Sequence, residues 1–277
     1  MNKLIVALLV AGCSSLLPKT VEAAGIDGLL PHRAIYDLSM IDSSDRSGIT
    51  GMKGRIVYEM TGSKCEGFAV RFRFLTQVQT ARKNFTNDQR TTSFESADGK
   101  SFSFVNQSYL NGQLERELRG QAELEGGLTK VVITKPEESS FELGAALFMT
   151  QHVARLIEAA QQGQTIVTAK VYDGSDDGDE LVDTTAIIGR ERGESKQIGG
   201  EPEEVSSQFS GNPAWPVSVS YFSTAASESQ GERLPIYQVS FLMHENGISR
   251  DLKMQYEDYA LKGDLKEIQF LKAEACN

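Results

Sequence analysis

The chain has 277 residues, of which 40% are hydrophobic and 24% charged, and its formal net charge is −10 at pH 7. Its isoelectric point is near 5.0. Binding to nucleic acid or to an anionic lipid surface needs clustered lysine and arginine, so this charge balance argues against both partners. The length suffices for one large domain or two small ones, and we expect one.

Residues 1–23 are predicted to be a signal peptide for export. Met1-Asn2-Lys3 supplies a cationic start, and the apolar run from Leu4 to Val10 is too short to span a bilayer. Val21-Glu22-Ala23 has the small or aliphatic residues of a cleavage site. Cleavage there would leave a soluble exported protein that begins at Ala24. No later stretch of the sequence is apolar enough to form a transmembrane helix.

A second interpretation of the N-terminus stays open. Val10-Ala11-Gly12-Cys13 resembles a bacterial lipobox, in which Cys13 is lipidated and tethers the protein to the envelope. Either ending removes Cys13 from disulfide chemistry and leaves Cys65 and Cys276, which lie 211 residues apart. In an exported protein an even pair predicts a disulfide, which would hold the two ends of the sheet together; the alternative is two unrelated buried thiols.

Residues 24–277 are predicted to form a single all-β domain, mainly antiparallel, because the hydrophobic pattern has a period of two. Phe68, Val70 and Phe72 alternate with Arg71 and Arg73, for example. Turn pairs such as Asn-Gly separate many of the segments and are typical of hairpins. The predicted strands are 32–40, 54–60, 67–75, 89–95, 101–109, 114–122, 128–134, 165–172, 181–189, 217–222, 234–243, 247–256, 259–262 and 265–273.

One segment has a helical period instead. Its apolar residues recur at helical spacing, and they are Met149, Val153, Leu156, Ile157 and Ala160. Thr150 is the expected cap at the start, and Gly163 the expected end. A single main helix beside about fourteen strands is expected to plug an open end or cover one face of a curved sheet.

The stretch from Gly189 to Trp215 is predicted to be a long surface loop, since it is rich in charge, glycine and proline. Trp215, the single tryptophan, lies between Pro213 and Pro216 and is expected to cover an end of the core. A role in stacking against a ligand is the alternative.

The sequence lacks the motifs of common enzymes. Its three histidines, His32, His152 and His244, are dispersed, and it has no H-E-x-x-H, G-x-S-x-G or C-x-x-C motif. We expect His152 to be a surface or capping residue. We predict no enzymatic activity, no catalytic residues, no metal site and no cofactor. Paired carboxylates of a glycan hydrolase are the one enzymatic alternative, and no pattern supports them.

An acidic segment, Asp173 to Asp179, follows the first half of a calcium-binding loop. Oxygen-bearing residues stand at its odd positions and Gly178 at position 6. Position 12, however, is Thr184, where such loops need a bidentate glutamate. We therefore predict a turn rich in aspartate and glycine instead of a metal site.

Several short motifs resemble the EipB family of alphaproteobacterial envelope integrity proteins, a family of unknown molecular mechanism. These motifs follow one another along the mature chain and are 30–38 (LPHRAIYDL), 47–49 (SGI), 54–59 (GRIVYE), 62–67 (GSKCEG), 88–92 (DQRTT), 171–176 (VYDGSD), 247–252 (GISRDL) and Cys276. The lipobox at Cys13 departs from the family, whose members are typically cleaved and soluble.

The resemblance implies a periplasmic protein with a long, strongly curved antiparallel sheet, described as a β-spiral or open-barrel-like. It also implies a disulfide between Cys65 and Cys276, a role in cell envelope integrity and no enzymatic activity. The first hypothesis is that the curved sheet binds an apolar ligand or an envelope protein in its concavity. The alternatives are a scaffold that uses exposed strand edges or the 189–215 segment, and a lipid or lipoprotein carrier tethered through Cys13.

Overall fold

The computed structural model describes residues 26–175, 177–193, 198–224, 233–273 and 276. The predicted signal peptide, the lipobox-like motif at Cys13 and residues 194–197 lie outside this described part. The strands are β1 (His32–Ser43), β2 (Ile49–Ser63), β3 (Gly67–Thr80), β4 (Asn84–Ser96), β5 (Ser101–Leu110), β6 (Gln113–Glu125), β7 (Leu128–Lys135), β8 (Ser139–Gly144), β9 (Ile166–Val171), β10 (Val182–Ile188), β11 (Ala214–Ser223), β12 (Tyr237–His244), β13 (Ser249–Tyr256) and β14 (Tyr259–Phe270); the helices are α1 (Met149–Gln161) and α2 (Glu203–Ser206).

All fourteen strands form one antiparallel sheet, in the order β8-β7-β6-β5-β4-β3-β2-β1-β14-β13-β12-β11-β10-β9. Two meanders, β1 to β8 and β9 to β14, therefore meet in the middle, where the first strand pairs with the last. Helix α1 connects the two edge strands, β8 and β9. A parallel bridge between Leu147 and Val171 brings these edges together without a continuous ladder between β8 and β9. The prediction of a curved, open antiparallel sheet is confirmed.

The sheet curves around α1, whose buried residues pack against the inner sides of strands from both meanders. One core cluster combines Leu156 and Ile157 of the helix with Met60, Phe68 and Trp215 of the strands. Trp215 is 4% exposed and lies in β11, in agreement with the core role predicted for it. Packing the helix against the inner face of the sheet removes the apolar surfaces of both elements from water.

The strand predictions were correct except at two places. Residues 139–144 form β8, a short edge strand that was not predicted because only two apolar residues, Phe141 and Leu143, mark its inner face. Residues 259–262 and 265–273 were predicted as separate strands, but β14 runs through Gly263 without a break. A Cβ at Gly263 would lie 3.1 Å from side-chain atoms of Leu38 and Leu252, so this glycine permits a close approach and does not mark a turn.

The helix was predicted correctly, but the predictions of Thr150 as its cap and of His152 as a surface or capping residue were wrong. Its N-cap is Phe148, which provides no side-chain hydrogen bond, and Thr150 lies inside the first turn. Gly163 ends the helix with a φ of 71°. His152 is not a surface residue: it is 2% exposed, and its Nε2 lies 3.3 Å from the hydroxyl of Thr184. The helix is surrounded by the sheet, so more of its circumference is buried than one apolar stripe indicates.

The prediction of a surface loop at 189–215 was wrong for its C-terminal half. Residues 203–206 form α2, and Val205 and Phe209 are buried in a second core cluster with strands β1, β2, β13 and β14. The sequence did not indicate this packing, because a segment rich in charge is normally exposed. One of its charged residues, Glu201, is nevertheless buried. Within the described residues, no helix is long and apolar enough to cross a membrane.

Candidate functional site

A cavity of about 410 Å³ lies between the first turn of α1 and the inner face of the sheet. Most of its wall is apolar or aromatic, and the wall includes Tyr58, Met60, Val70, Phe72, Phe102 and Val153. These residues come from β2, β3, β5 and α1, and alternation along the strands points their side chains inward. Ligand sites typically measure ~300–1,000 Å³ and have mainly apolar walls, so this cavity has the dimensions and lining of a small-ligand site.

The mouth of the cavity is marked by lining residues that are also exposed to solvent. Met149, in the first turn of α1, is 37% exposed. Ser175, in the segment after β9, is also exposed. The opening therefore lies between the start of the helix and the acidic 173–179 segment, and both elements flank the route into the cavity.

Glu95 is a buried carboxylate in the cavity wall. Its two oxygens accept hydrogen bonds from the backbone N–H groups of Thr150 at 2.7 Å and Gln151 at 3.0 Å. Burial raises the pKa of Glu95 to about 7, although these hydrogen bonds act in the opposite direction. Burial, together with the negative charge of Glu95, also raises the pKa of Tyr58 to about 12. Glu95 thus caps α1 from strand β4 and supplies the oxygen that Phe148 lacks.

A smaller groove of about 260 Å³ adjoins the cavity, and Thr91, Asn106 and Ser175 line both. Asn106 donates to the carbonyl of Gly174 at 2.7 Å. Its Oδ1 is buried and has no hydrogen-bond partner among the described residues, which leaves one acceptor available at the junction. Arg116 also lines the groove and donates to Asp177 at 2.6 Å.

Tyrosine rings continue from the cavity along the inner face of β11 to β14. Tyr237 lines the cavity and stacks on Tyr221 at a centroid distance of 4.4 Å. Tyr256 follows at 5.9 Å from Tyr237, and Tyr259 at 4.7 Å from Tyr256. Cross-strand aromatic pairs of this kind stabilise a sheet. Tyr237, the second ring of the row, is also part of the cavity wall.

The acidic 173–179 segment forms turns, as its composition predicts. Asp173 Oδ1 accepts from the N–H of Ser175 at 2.8 Å, and Gly178 donates its N–H to the carbonyl of Ser175 at 2.9 Å. Asp177 pairs with Arg116. Among the described residues, no group of three or more histidine, cysteine or acidic side chains has the arrangement of a metal site; Asp176 lies outside them.

The structure does not bring the three histidines together. His32 stacks on Tyr58 at 5.2 Å, His152 approaches Thr184, and His244 packs on Phe209 at 4.7 Å. Burial lowers the pKa of all three, to about 4 for His152 and His244. Their positions are those of core residues.

Arg250 and Glu201 form a fully buried ion pair that the sequence did not indicate. Both side chains are 0% exposed, and Nε of Arg250 donates to Oε2 of Glu201 at 2.9 Å. Ser206 donates to the same carboxylate, and the guanidinium lies 4.6 Å from the ring of Phe209. This pair fixes α2 to β13, outside the cavity. A buried charge carries a large desolvation cost unless it is paired, which explains why the two groups occur together.

Cys65 and Cys276 are bonded to each other, with a Cα–Cα distance of 5.7 Å. Cys65 lies in the turn between β2 and β3, and Cys276 follows β14. Strand β1 pairs with both β2 and β14, so the bond spans the middle of the sheet. The expectation that it holds the sheet's two ends together was wrong, because β1 and β14 pair at the centre of the sheet and its edges are β8 and β9.

The chain has the fold class of an open antiparallel sheet that encloses a helix and an apolar cavity, and comparison with known proteins identifies its family. A family model described as EipB-like matches residues 23–272. The chain therefore belongs to the EipB-like family, which confirms the resemblance found in its motifs.

A named protein and a solved structure, both from Brucella abortus, agree with this assignment. The cell envelope integrity protein EipB of strain 2308 is 40% identical over 248 residues, which cover 89% of this chain and 86% of the relative. A crystal structure described as a beta-barrel-like protein of a domain of unknown function has a TM-score of 0.81 and 39% identity. The match covers 88% of this chain and 99% of that one.

Proposed function

We propose that this protein is a non-enzymatic periplasmic factor that maintains cell envelope integrity by binding the apolar part of an envelope ligand inside its curved sheet. Two findings support the envelope role: membership of the EipB-like family and 40% identity to a protein named for cell envelope integrity. The cavity of about 410 Å³ supports the binding role, because its wall is mostly apolar and its mouth reaches solvent.

The binding experiment uses the mature protein, purified from the periplasm without detergent, and a fluorescent acyl probe. Lipid that co-purifies is identified by native mass spectrometry. Val70→Phe places a larger side chain in the cavity wall and should weaken probe binding at least tenfold. Val132→Phe is the matched control, because Val132 lies in β7 and is 41% exposed. Absence of both co-purified lipid and probe binding would contradict the proposal.

The second candidate function is a scaffold for other envelope proteins. The described parts of β8 and β9 each have a sheet partner on one side only, and an unpaired edge can accept a strand from another chain. Crosslinking in intact envelopes followed by pull-down separates the two functions. A partner that is lost in an edge variant, Phe141→Pro in β8, and retained in Val70→Phe would favour the scaffold.

Export is part of the proposed function. Cleavage after Ala23 is expected to give a mature protein that begins at Ala24 and is soluble in the periplasm. The alternative is a lipid carrier that is anchored through Cys13. N-terminal sequencing distinguishes them, since a blocked, diacylated Cys13 would replace Ala24 as the first residue. Cys13→Ser should leave localisation unchanged if the signal is cleaved.

A further inference from the structure

The charged side chains that line the cavity are all acidic. They are Glu95, on the inner wall, and Asp173, near the mouth. The described lining includes no lysine, arginine or histidine. Arg90 and Arg116 line the adjoining groove, where Arg90 is paired with Asp88 and Arg116 with Asp177. A negatively charged group that enters the cavity therefore meets the carboxylate of Asp173, joined by that of Glu95 above its pKa of about 7, and no cation in the described lining.

The mouth combines a carboxylate with aromatic faces. Tyr237 lines the cavity and stacks on Tyr221. Burial raises the pKa of Tyr221, and the negative charge of Asp173 raises it further. The carboxylate of Asp173 therefore acts electrostatically on the stacked pair of Tyr221 and Tyr237. Aromatic rings beside a carboxylate attract positive charge, and such cages recognise alkylated ammonium groups.

The volume of the cavity limits the apolar part of the ligand. A methylene group is similar in size to a water molecule, which takes ~30 Å³ in the liquid. A cavity of about 410 Å³ therefore holds roughly fourteen methylenes, which corresponds to one alkyl chain. Two chains of a membrane phospholipid would not fit in this volume.

We propose that the cavity binds a single-chain amphiphile whose head group is positively charged or uncharged, and that it rejects phosphate and carboxylate head groups. The alkyl chain lies against Val70, Phe72 and Val153, and the head group lies at the mouth beside Asp173 and Tyr237. This inference rests on the proposed function, because it assigns a ligand class to the same cavity.

The test compares three amphiphiles with the same twelve-carbon chain, each below its critical micelle concentration and at low salt. They are dodecyltrimethylammonium, dodecyl maltoside and dodecyl phosphate, and each competes with the fluorescent acyl probe for the mature protein. The first two should bind at least about tenfold more tightly than dodecyl phosphate, because like charges in a desolvated site cost more than one tenfold step. Inorganic phosphate alone should not displace the probe.

Chain length gives an independent measurement. Each methylene that enters the cavity should raise affinity about fourfold in a series of alkyltrimethylammonium ions from eight to eighteen carbons. The increase should stop near twelve to fourteen carbons. A steady increase through eighteen carbons would overturn the single-chain assignment.

Asp173→Asn keeps the acceptor for the N–H of Ser175 and removes the charge. It should reduce the preference for dodecyltrimethylammonium over dodecyl phosphate at least about threefold at low salt. Asp37→Asn is the matched control, since Asp37 pairs with Arg55 in an exposed ion pair and does not line the cavity. Equal changes in the two variants would contradict a role for Asp173.

The outcomes separate this inference from the proposed function. If none of the three amphiphiles binds, the proposed apolar site itself fails. If all three bind equally, or dodecyl phosphate binds most tightly, the site stands and the head-group inference is wrong. If inorganic phosphate displaces the probe as effectively as dodecyl phosphate does, the alkyl chain does not contribute to recognition. The head-group inference and the proposed apolar site would then both be wrong.

Discussion

Glu95 and Thr150 are 55 residues apart in sequence, and the carboxylate of Glu95 accepts a hydrogen bond from the backbone N–H of Thr150 at 2.7 Å. The bond joins strand β4 to the first turn of α1, next to the mouth of the cavity. An N-cap normally comes from the residue that precedes the helix. Here the cap comes from the sheet, so one buried acid ties the first turn of the helix to the cavity wall.

This arrangement predicts that stability depends on the protonation of Glu95. The pKa of Glu95 is raised from 4.5 to about 7 in the folded protein, so the native state retains a proton that the unfolded state releases. The free energy of unfolding should fall as pH rises from about 4.5 to 7 and level off above that. The shift corresponds to about 3 kcal/mol across this window, measured by urea unfolding at several pH values.

Glu95→Gln is the control, because glutamine keeps one oxygen acceptor and does not titrate. The difference in unfolding free energy between wild type and Glu95→Gln should follow the predicted slope. His152 and His244 act in the opposite direction, since their lowered pKa values make stability fall as pH decreases below about 6.5. Both are present in the two proteins, so their effect cancels. A difference that stays constant between pH 5 and 8 would contradict the prediction.

The buried pair of Arg250 and Glu201 gives a second prediction. Arg250→Met should lower the free energy of unfolding by about 3–5 kcal/mol, because Glu201 would remain buried without its cation. Arg55→Met should cost less than about 1 kcal/mol, since Arg55 and Asp37 form an exposed pair with side chains 53% and 43% exposed. Urea unfolding measures both values.

The double variant Arg250→Met with Glu201→Met tests the cause. It should be more stable than Arg250→Met alone, because no unpaired charge remains in the core. If the two single variants, Arg250→Met and Arg55→Met, proved equally stable, the buried pair would not have the structural role described here.

The sequence predicted most secondary structure because local patterns determine it. Strands with one buried face alternate visibly, and the Asn111-Gly112 turn has the positive φ values, 51° and 82°, that such a pair favours in a hairpin. Strand β8 was missed because it is short: Phe141 and Leu143 pack against the core from one face, but two apolar residues are too few to establish a period. Its place in the sheet comes from pairing with β7.

Long-range contacts could not be read from the sequence. The cap at α1 joins residues 55 positions apart, and the ion pair of Glu201 and Arg250 joins residues 49 positions apart. No local pattern distinguishes these acids from exposed ones. The cavity depends on the curvature of the whole sheet, which no local pattern shows. The sequence therefore did not predict which residues line the cavity, although its alternation did place Val70 and Phe72 on one face of their strand.

The acidic 173–179 segment provides a third prediction. Millimolar calcium should leave the melting temperature unchanged, because Asp173 accepts from Ser175 and Asp177 pairs with Arg116. A ligand that binds only the native state must raise the melting temperature by mass action. A rise of several degrees that is absent in the Asp173→Ala and Asp177→Ala double variant would show that the segment binds the ion.

The disulfide gives the last prediction. The bond between Cys65 and Cys276 closes a loop of 211 residues, so chain entropy sets an upper limit of roughly 5 kcal/mol on its contribution to stability. It ties the turn after β2 to the chain beyond β14, on either side of β1, where the two meanders join. Its loss should therefore loosen this central seam first.

We expect Cys65→Ser with Cys276→Ser to lower the melting temperature clearly and to increase proteolysis near the C-terminus, with circular dichroism little changed. Binding of the fluorescent acyl probe should persist at temperatures where the variant is folded, because neither cysteine lines the cavity. Thiol labelling of the unreduced, unfolded mature protein tests the bond directly, and it should detect no free thiol. Two reactive thiols per chain would show that the bond does not form in the exported protein, and the seam between β1 and β14 would then depend on strand pairing and core packing alone.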